Sequence, residues 1–222
     1  IGVELAKALT QGESAAIDES TTTALTFGGA KGITMKPGEI VVSDPVKFRM
    51  TPRMDVAITI DFGKASRTDV SGHPGSRTSS YIAEGNTNDF SKAVETTHWC
   101  YINSLIVNAG KKFGSIAVIG NSITDGRGTT TNHQNRWTDN LSKRLLANKK
   151  TKNLSVLNLG LGGNCVLRGG LGPTANSRFD RDVINQEGVK YAIVFEGVND
   201  LGGSWNGEET AKQLIESFKT MI

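Results

Sequence analysis

No stretch of this chain is apolar for the roughly 18 residues that a helix crossing a bilayer requires, so it reads as a protein without a membrane span. Basic residues do not gather either. Lysines adjoin only at Lys111-Lys112 and Lys149-Lys150 within a net charge of +3, and nothing marks a nucleic-acid footprint. Two cysteines, Cys100 and Cys165, are too few for a disulfide framework; one disulfide and two buried thiols both stay open. The three histidines, His73, His98 and His133, each read as a loop or partly buried residue. There is no internal repeat, no low-complexity tract, no ligand set for a metal and no cofactor motif. The first residue is Ile rather than Met and no signal-like stretch follows. The N-terminus therefore reads as processed or truncated, and any targeting segment as already removed.

What is there suits a globular protein. With 222 residues and 37% apolar content the chain is long enough for one large or two small domains, each with a core. Its character changes near residue 112. Before that point short β-prone runs alternate with Gly and Pro turns. They are Leu25-Thr26-Phe27, Ile33-Thr34-Met35, Ile40-Val41-Val42, Val56 to Ile60, Trp99 to Ile102 and Leu105-Ile106-Val107. Residues 1–112 thus read as a small all-β domain of β-sandwich or jelly-roll type, with residues 71–80 as a long loop. After it, strands and helices alternate. Ile116 to Ile119, Leu154 to Leu159 and Tyr191 to Phe195 read as buried strands, the last as a central one because it is apolar on both faces. Trp137, Leu141 and Leu145 mark one helix and Phe179, Val183 and Ile184 a second. A third places Ala211, Leu214, Ile215, Phe218 and Ile222 on one face. Residues 113–222 therefore read as an α/β domain, a parallel sheet with helices on both sides. The final helix reaches the end of the sequence with no glycine cap and no following strand, so the fold is expected to continue beyond it.

Open parallel sheets bind ligands outside the carboxyl ends of their strands. Three segments leave such ends with unusual residues. Gly120-Asn121-Ser122-Ile123-Thr124 puts a hydroxyl at the start of the segment after the first strand, where it reads as a nucleophile or as a helix-capping serine. Asn158-Leu159-Gly160-Leu161-Gly162-Gly163-Asn164 clusters glycines whose N–H groups could face an oxyanion; a flexible turn is the plain alternative. A dinucleotide fingerprint, and with it a flavodoxin-like nucleotide or phosphate binder, would need Gly at 165, where Cys165 stands. Gly197-Val198-Asn199-Asp200 follows the third strand with an amide suited to oxyanion stabilisation, beside an aspartate that could hold the loop.

Together these segments resemble the blocks of the SGNH, or GDSL-type, hydrolase superfamily, whose first block is G-D-S, whose second carries a glycine, whose third is G-x-N-D and whose last is D-x-x-H. The resemblance covers residues 113–222 and implies a three-layer α/β/α, flavodoxin-like fold. Carried over, Ser122 is the nucleophile and one oxyanion donor through its own N–H, Gly163 the second donor and Asn199 the third. Gly72 to Arg77 and Phe179 to Asp182 are similar to a subgroup with an N-terminal β-domain whose members are acetylxylan-esterase-like or lipase-like. Two departures stand out. Asn121 replaces the aspartate of the first block, an isosteric change at a structural position. No D-x-x-H occurs at all.

The resemblance implies a secreted serine esterase without a cofactor. Its partner would be an ester substrate, acetyl or short-chain acyl, including acylated plant cell-wall carbohydrate. The histidine and aspartate that complete the triad are expected in a C-terminal segment, among whose forms is a separate chain of the same protein after nicking. The Asn140-Leu141-Ser142 and Asn153-Leu154-Ser155 glycosylation acceptors are permissive of secretion. The alternative is a non-catalytic carbohydrate-binding or structural module that keeps the SGNH shell without its base.

Overall fold

The computed structural model describes residues 1–65, 70–85 and 89–221. They form two compact units, Ile1–Asn103 and Ser104–Ile222.

The first unit is all-β and is made of small antiparallel ladders. Strands β1 (Gly2–Ala8), β2 (Ile17–Ala24) and β3 (Val56–Asp61) form one sheet in the order β2-β1-β3. β1 lies in the middle, with Leu5 opposite Thr23 on one side and Ile58 on the other. Four three-residue strands follow: β4 (Gly72–Pro74), β5 (Ser80–Ile82), β6 (Val94–Thr96) and β7 (His98–Cys100). They pair as β4 with β7 and β5 with β6. Only part of the sequence expectation survives here. Val56 to Ile60 is a strand and Trp99-Cys100 lies in another. Leu25 to Phe27, Ile33 to Met35, Ile40 to Val42 and Leu105 to Val107 are not strands. Phe27 makes one isolated bridge to Ala30, and Ile40 and Val42 are exposed. Those runs have β-prone side chains but no partner edge. The Asp44 carboxylate instead ties down the neighbouring turn, accepting the N–H groups of Gly28 and Gly29 at 3.1 and 2.8 Å and the Thr26 hydroxyl at 2.7 Å. Those donors, Gly29 first, hold its carboxyl below the usual carboxylate range. The expected loop over residues 71–80 contains β4, because Gly72 to Pro74 finds Cys100 to His98 as a partner.

The second unit is α/β. Its elements are β8 (Gly114–Gly120), α1 (Ser122–Asp125), α2 (Trp137–Ala147), β9 (Leu154–Gly160), α3 (Ala175–Phe179) running on into a π-helical turn at Asp180–Ile184, β10 (Val189–Phe195), α4 (Val198–Gly202) and α5 (Gly207–Thr220). The three strands are parallel in the order β10-β8-β9. Residues paired in register share a face, and successive residues alternate between faces. Ala117, Ile119 and Leu159 point to a core with Val166, Phe179, Val183 and Leu214, which are supplied by α3, the π turn, α5 and the loop after β9. On the other face Asn158, in register with Val118, donates to the Thr138 hydroxyl of α2 at 3.0 Å. Phe195 meets Trp137 of α2 edge-on, with centroids 6.1 Å apart. Helices therefore cover both faces, giving the three-layer α/β/α arrangement.

The central strand is β8, whose Ala117, Val118 and Ile119 are completely buried. Among the described residues β10, read from its sequence as central, pairs on one side alone, with β8, and Tyr191 and Phe195 are exposed. An apolar run on both faces did not distinguish the two. Connectivity does. The β8–α2–β9 crossover goes one way and the β9–α3–β10 crossover returns past β8, so a topological switch point lies between β8 and β10. On α5 the buried residues are Thr210, Leu214 and Ser217, with Phe218 packed against the core. Ile215 is exposed, one position outside the stripe expected of it. Ile222, assigned to the same face, lies outside the described residues.

Candidate active site

β8 ends on Gly120 because α1 sits directly against the strand ends. A Cβ on Gly120 would overlap the buried Thr124 side chain, and one on Gly160, its partner on β9, would lie 2.7 Å from the Cα of Asp125. α1 is one turn long and capped at both ends. Asn121 Oδ1 accepts the Ile123 N–H at 3.1 Å, and Gly126, in the left-handed region, donates its N–H to the Ser122 carbonyl at 3.0 Å. Asn158 also donates to the Thr124 carbonyl at 2.8 Å, fixing the far end of the turn. Ser122 is thus the first residue of a clamped turn, half-buried, two residues beyond the central strand. The capping side chain belongs to Asn121, so the alternative of Ser122 as a helix cap falls away.

After β9, Leu161 to Asn164 make a turn closed by the Asn164 N–H on the Leu161 carbonyl at 3.2 Å. Gly163 takes the left-handed third position of this turn (φ 70°), which a side chain would strain. Its carbonyl accepts the Leu171 N–H at 3.0 Å. Among the described residues no acceptor takes the N–H of Gly163 or of Ser122.

After β10, Gly197 (φ 103°) turns the chain into α4, whose first turn carries Asn199 and Asp200. Asn199 Nδ2 donates to the Asn164 carbonyl at 2.7 Å. An amide has two N–H bonds, so one is left over. Asp200 does hold a loop, but the one before it in sequence: its two oxygens accept the Val166 and Leu167 N–H groups, each at 2.9 Å. An open cleft of about 340 Å3 borders Asn199, lined also by Cys165, Arg168, Gly170 and Asp200.

Sequence reading missed the polar links beneath these loops. Arg178 of α3 and Glu196 at the end of β10 are both buried charged side chains. Arg178 donates to the carbonyls of Gly120 and Leu159, to Asn164 Oδ1 and to Asp182. Glu196 accepts from Asn121. Burial lowers the Arg178 guanidinium from its ordinary value and pushes the Glu196 carboxyl up to about 7. Arg178 lies on the buried side of a helix beside Phe179, and that placement was the available signal.

His73 and His98 lie in the first unit, and His133 is exposed in the loop before α2. Cys100 and Cys165 are free thiols; burial pushes the Cys165 thiol up, away from reactivity. Among the described residues no three His, Cys, Asp or Glu side chains gather as a metal site, and no helix is long and apolar enough to cross a membrane.

Residues 118–222 match the GDSL-like Lipase/Acylhydrolase family. A search of curated proteins finds no match. Among solved structures the chain is similar to AlinE4, an SGNH-hydrolase family esterase, at 21% identity and a TM-score of 0.38, covering 48% of this chain and 51% of that one. It is similar also to a substituted form of AlinE4, at 20% identity and a TM-score of 0.37 over the same shares. The chain thus spans about half the length of these structures. The family match covers a little under half of the chain, from Val118 to its last residue.

Proposed function

We propose that this chain carries the nucleophile and the oxyanion-binding groups of a serine esterase. The observation that carries the reading is the placement of Ser122 and Asn199 on the two loops that leave the sheet at its switch point, with Gly163 on the loop from the neighbouring strand. In the reaction Ser122 Oγ attacks the ester carbonyl, and the carbonyl oxygen becomes the oxyanion of a tetrahedral intermediate. The N–H groups of Ser122 and Gly163 and the spare N–H of Asn199 are its donors. The bond from Asn199 to Asn164 sets which way that spare N–H points. Collapse of the intermediate expels the alcohol and leaves an acyl group on Ser122, which water then removes.

A histidine must take the serine proton and return it to the alcohol. The family's D-x-x-H supplies one, and we assign both partners to sequence beyond residue 222. The acyl group is taken as acetyl or another short chain and the alcohol as a carbohydrate, consistent with a cleft bordered by Arg168, Asn199, Asp200, Ser204 and Thr210, with Leu167 as its large apolar side chain. Secretion fits such a substrate.

Hydrolysis of para-nitrophenyl acetate by the parent protein and by Ser122→Ala tests the reading: the substitution should cost about a thousandfold or more in kcat. Equal rates would overturn it. A second reading, a non-catalytic carbohydrate-binding module, is favoured by the lack of a D-x-x-H in these 222 residues. It predicts binding of acylated carbohydrate with no Ser122-dependent turnover.

A further inference from the structure

Glu196 closes β10, and its side chain meets no solvent. One carboxylate oxygen, Oε2, accepts the Asn121 amide at 3.2 Å, and the Gly197 N–H also bonds the carboxyl. The other, Oε1, is buried without a hydrogen bond and faces Arg178 Nη2 at 3.9 Å. The Arg178 guanidinium is itself 1% exposed. It reaches the Gly120 carbonyl at 3.3 Å, the Leu159 carbonyl at 2.8 Å, Asn164 Oδ1 at 2.9 and 3.2 Å and Asp182 at 3.2 Å. One buried cation therefore binds the ends of β8 and β9 and the glycine turn. Two chains of contact run outward from it. Through Asn164 it reaches the Asn199 amide, and through Glu196 it reaches Asn121, whose oxygen caps the turn that presents Ser122.

We propose that Arg178 and Glu196 are positioning residues that fix the Ser122 turn against the Asn199 amide, and that asparagine stands at 121 because the Glu196 carboxyl faces it. The proposal rests on the esterase reading of Ser122, Gly163 and Asn199. An aspartate at 121 would still cap Ile123, but it has no N–H to offer Glu196. It would set two carboxyl groups within hydrogen-bond distance, where both cannot be ionised at once. Asn121 and Glu196 are thus a matched pair, and changing one calls for changing the other. The charged and titratable groups around Glu196 are Arg178 from α3, Asp182 through Arg178, Asp200 from α4 and Cys165 from the glycine-rich loop.

The test is a rescue experiment on the esterase as it exists. Asn121→Asp should lower kcat about ten- to a hundredfold above pH 7, with KM nearly unchanged. The loss should shrink below pH 7, where a protonated Glu196 can donate to the new aspartate. Adding Glu196→Gln should restore kcat to within about threefold, because the glutamine amide donates to that aspartate while its oxygen faces Arg178. Wild-type kcat for Asn121→Asp at every pH, or a loss that Glu196→Gln does not repair, would overturn the proposal. A second measurement needs no turnover. In the parent protein the Ile123 backbone and Asn199 side-chain amide NMR signals should titrate together near pH 7, and Glu196→Gln should abolish that step. Signals that titrate separately, or a step that survives Glu196→Gln, would overturn the positioning role even if hydrolysis depends on Ser122. A shared step in a protein lacking Ser122-dependent hydrolysis would keep the network and discard the esterase reading.

Discussion

The two units of this chain are held together by different means. Among the described residues of Ile1–Asn103 the buried apolar side chains are Leu5 and Ala6, and most order comes from short antiparallel ladders and side-chain-braced turns such as the one at Asp44. In Ser104–Ile222 a cluster of seven buried residues from Ala117 to Leu214 packs one face of a parallel sheet. Beneath the strand ends lies a layer of buried polar groups: Asn121, Asn164, Arg178 and Glu196. Burial makes polar contacts directional and costly to break, because an orphaned group cannot turn to water. The candidate site stands on the unit that has this layer. Groups that must meet a developing oxyanion need placement to a fraction of an ångström, and loops braced from below can supply it.

Substitutions should separate the units in graded fashion. Arg178→Met ought to do the most damage, leaving Glu196 and two carbonyls without their cation and Asp182 with Arg181 alone. A loss of about 3–5 kcal/mol is expected, read by denaturant unfolding. If the second unit tolerates it, the buried layer is not what holds the strand ends. Gly160→Ala comes next, at about 1–3 kcal/mol, since its Cβ must displace the backbone of α1. Its Tm should fall, and the Ser122 and Asp125 amide signals should shift most.

Glu196→Gln should have a smaller effect that depends on pH. Burial raises the Glu196 pKa from its ordinary 4.5 to about 7 in the fold. Between those values the folded protein binds more protons than the unfolded chain, so this group's contribution to stability is complete below about pH 4.5 and is lost as pH rises through 7. The variant lacks that loss. Its Tm relative to the parent should therefore rise from pH 5 to pH 8, and a constant difference would contradict the assignment. Least of all should come from Ile40→Ser in the first unit, an exposed position expected to change stability by no more than about 0.5 kcal/mol.

The same contrast governs what could be read from sequence. In the second unit β8 and β10 announce themselves by apolar runs and β9 by one broken at Ser155 and Asn158, because strands between two helical layers are largely apolar on both sides, and each lies within about two residues of its expected place. In the first unit β1 and β2 carry no such signal. Gly2 to Ala8 and Ile17 to Ala24 mix Thr, Glu, Lys and Asp with few large apolar residues, so a thin sheet left them no alternation to show. The runs that looked most like strands, such as Ile40 to Val42, had side-chain propensity without a pairing edge. At the site, Ser122, Gly163 and Asn199 could be named because local motifs mark them. Arg178 and Glu196 could not, because their meaning lies in contacts spanning 58 and 75 positions, to Gly120 and Asn121. The central place of β8 was illegible for a related reason: strand order is set by crossovers, and an apolar strand carries no mark of its neighbours.

The most direct test of Ser122 as the nucleophile is covalent labelling with a fluorophosphonate ester followed by peptide mass spectrometry on the hydrolytically active protein. A single adduct is predicted, on Ser122, formed in step with the loss of para-nitrophenyl acetate hydrolysis. An adduct on another residue, or full hydrolysis with Ser122 unlabelled, would contradict it.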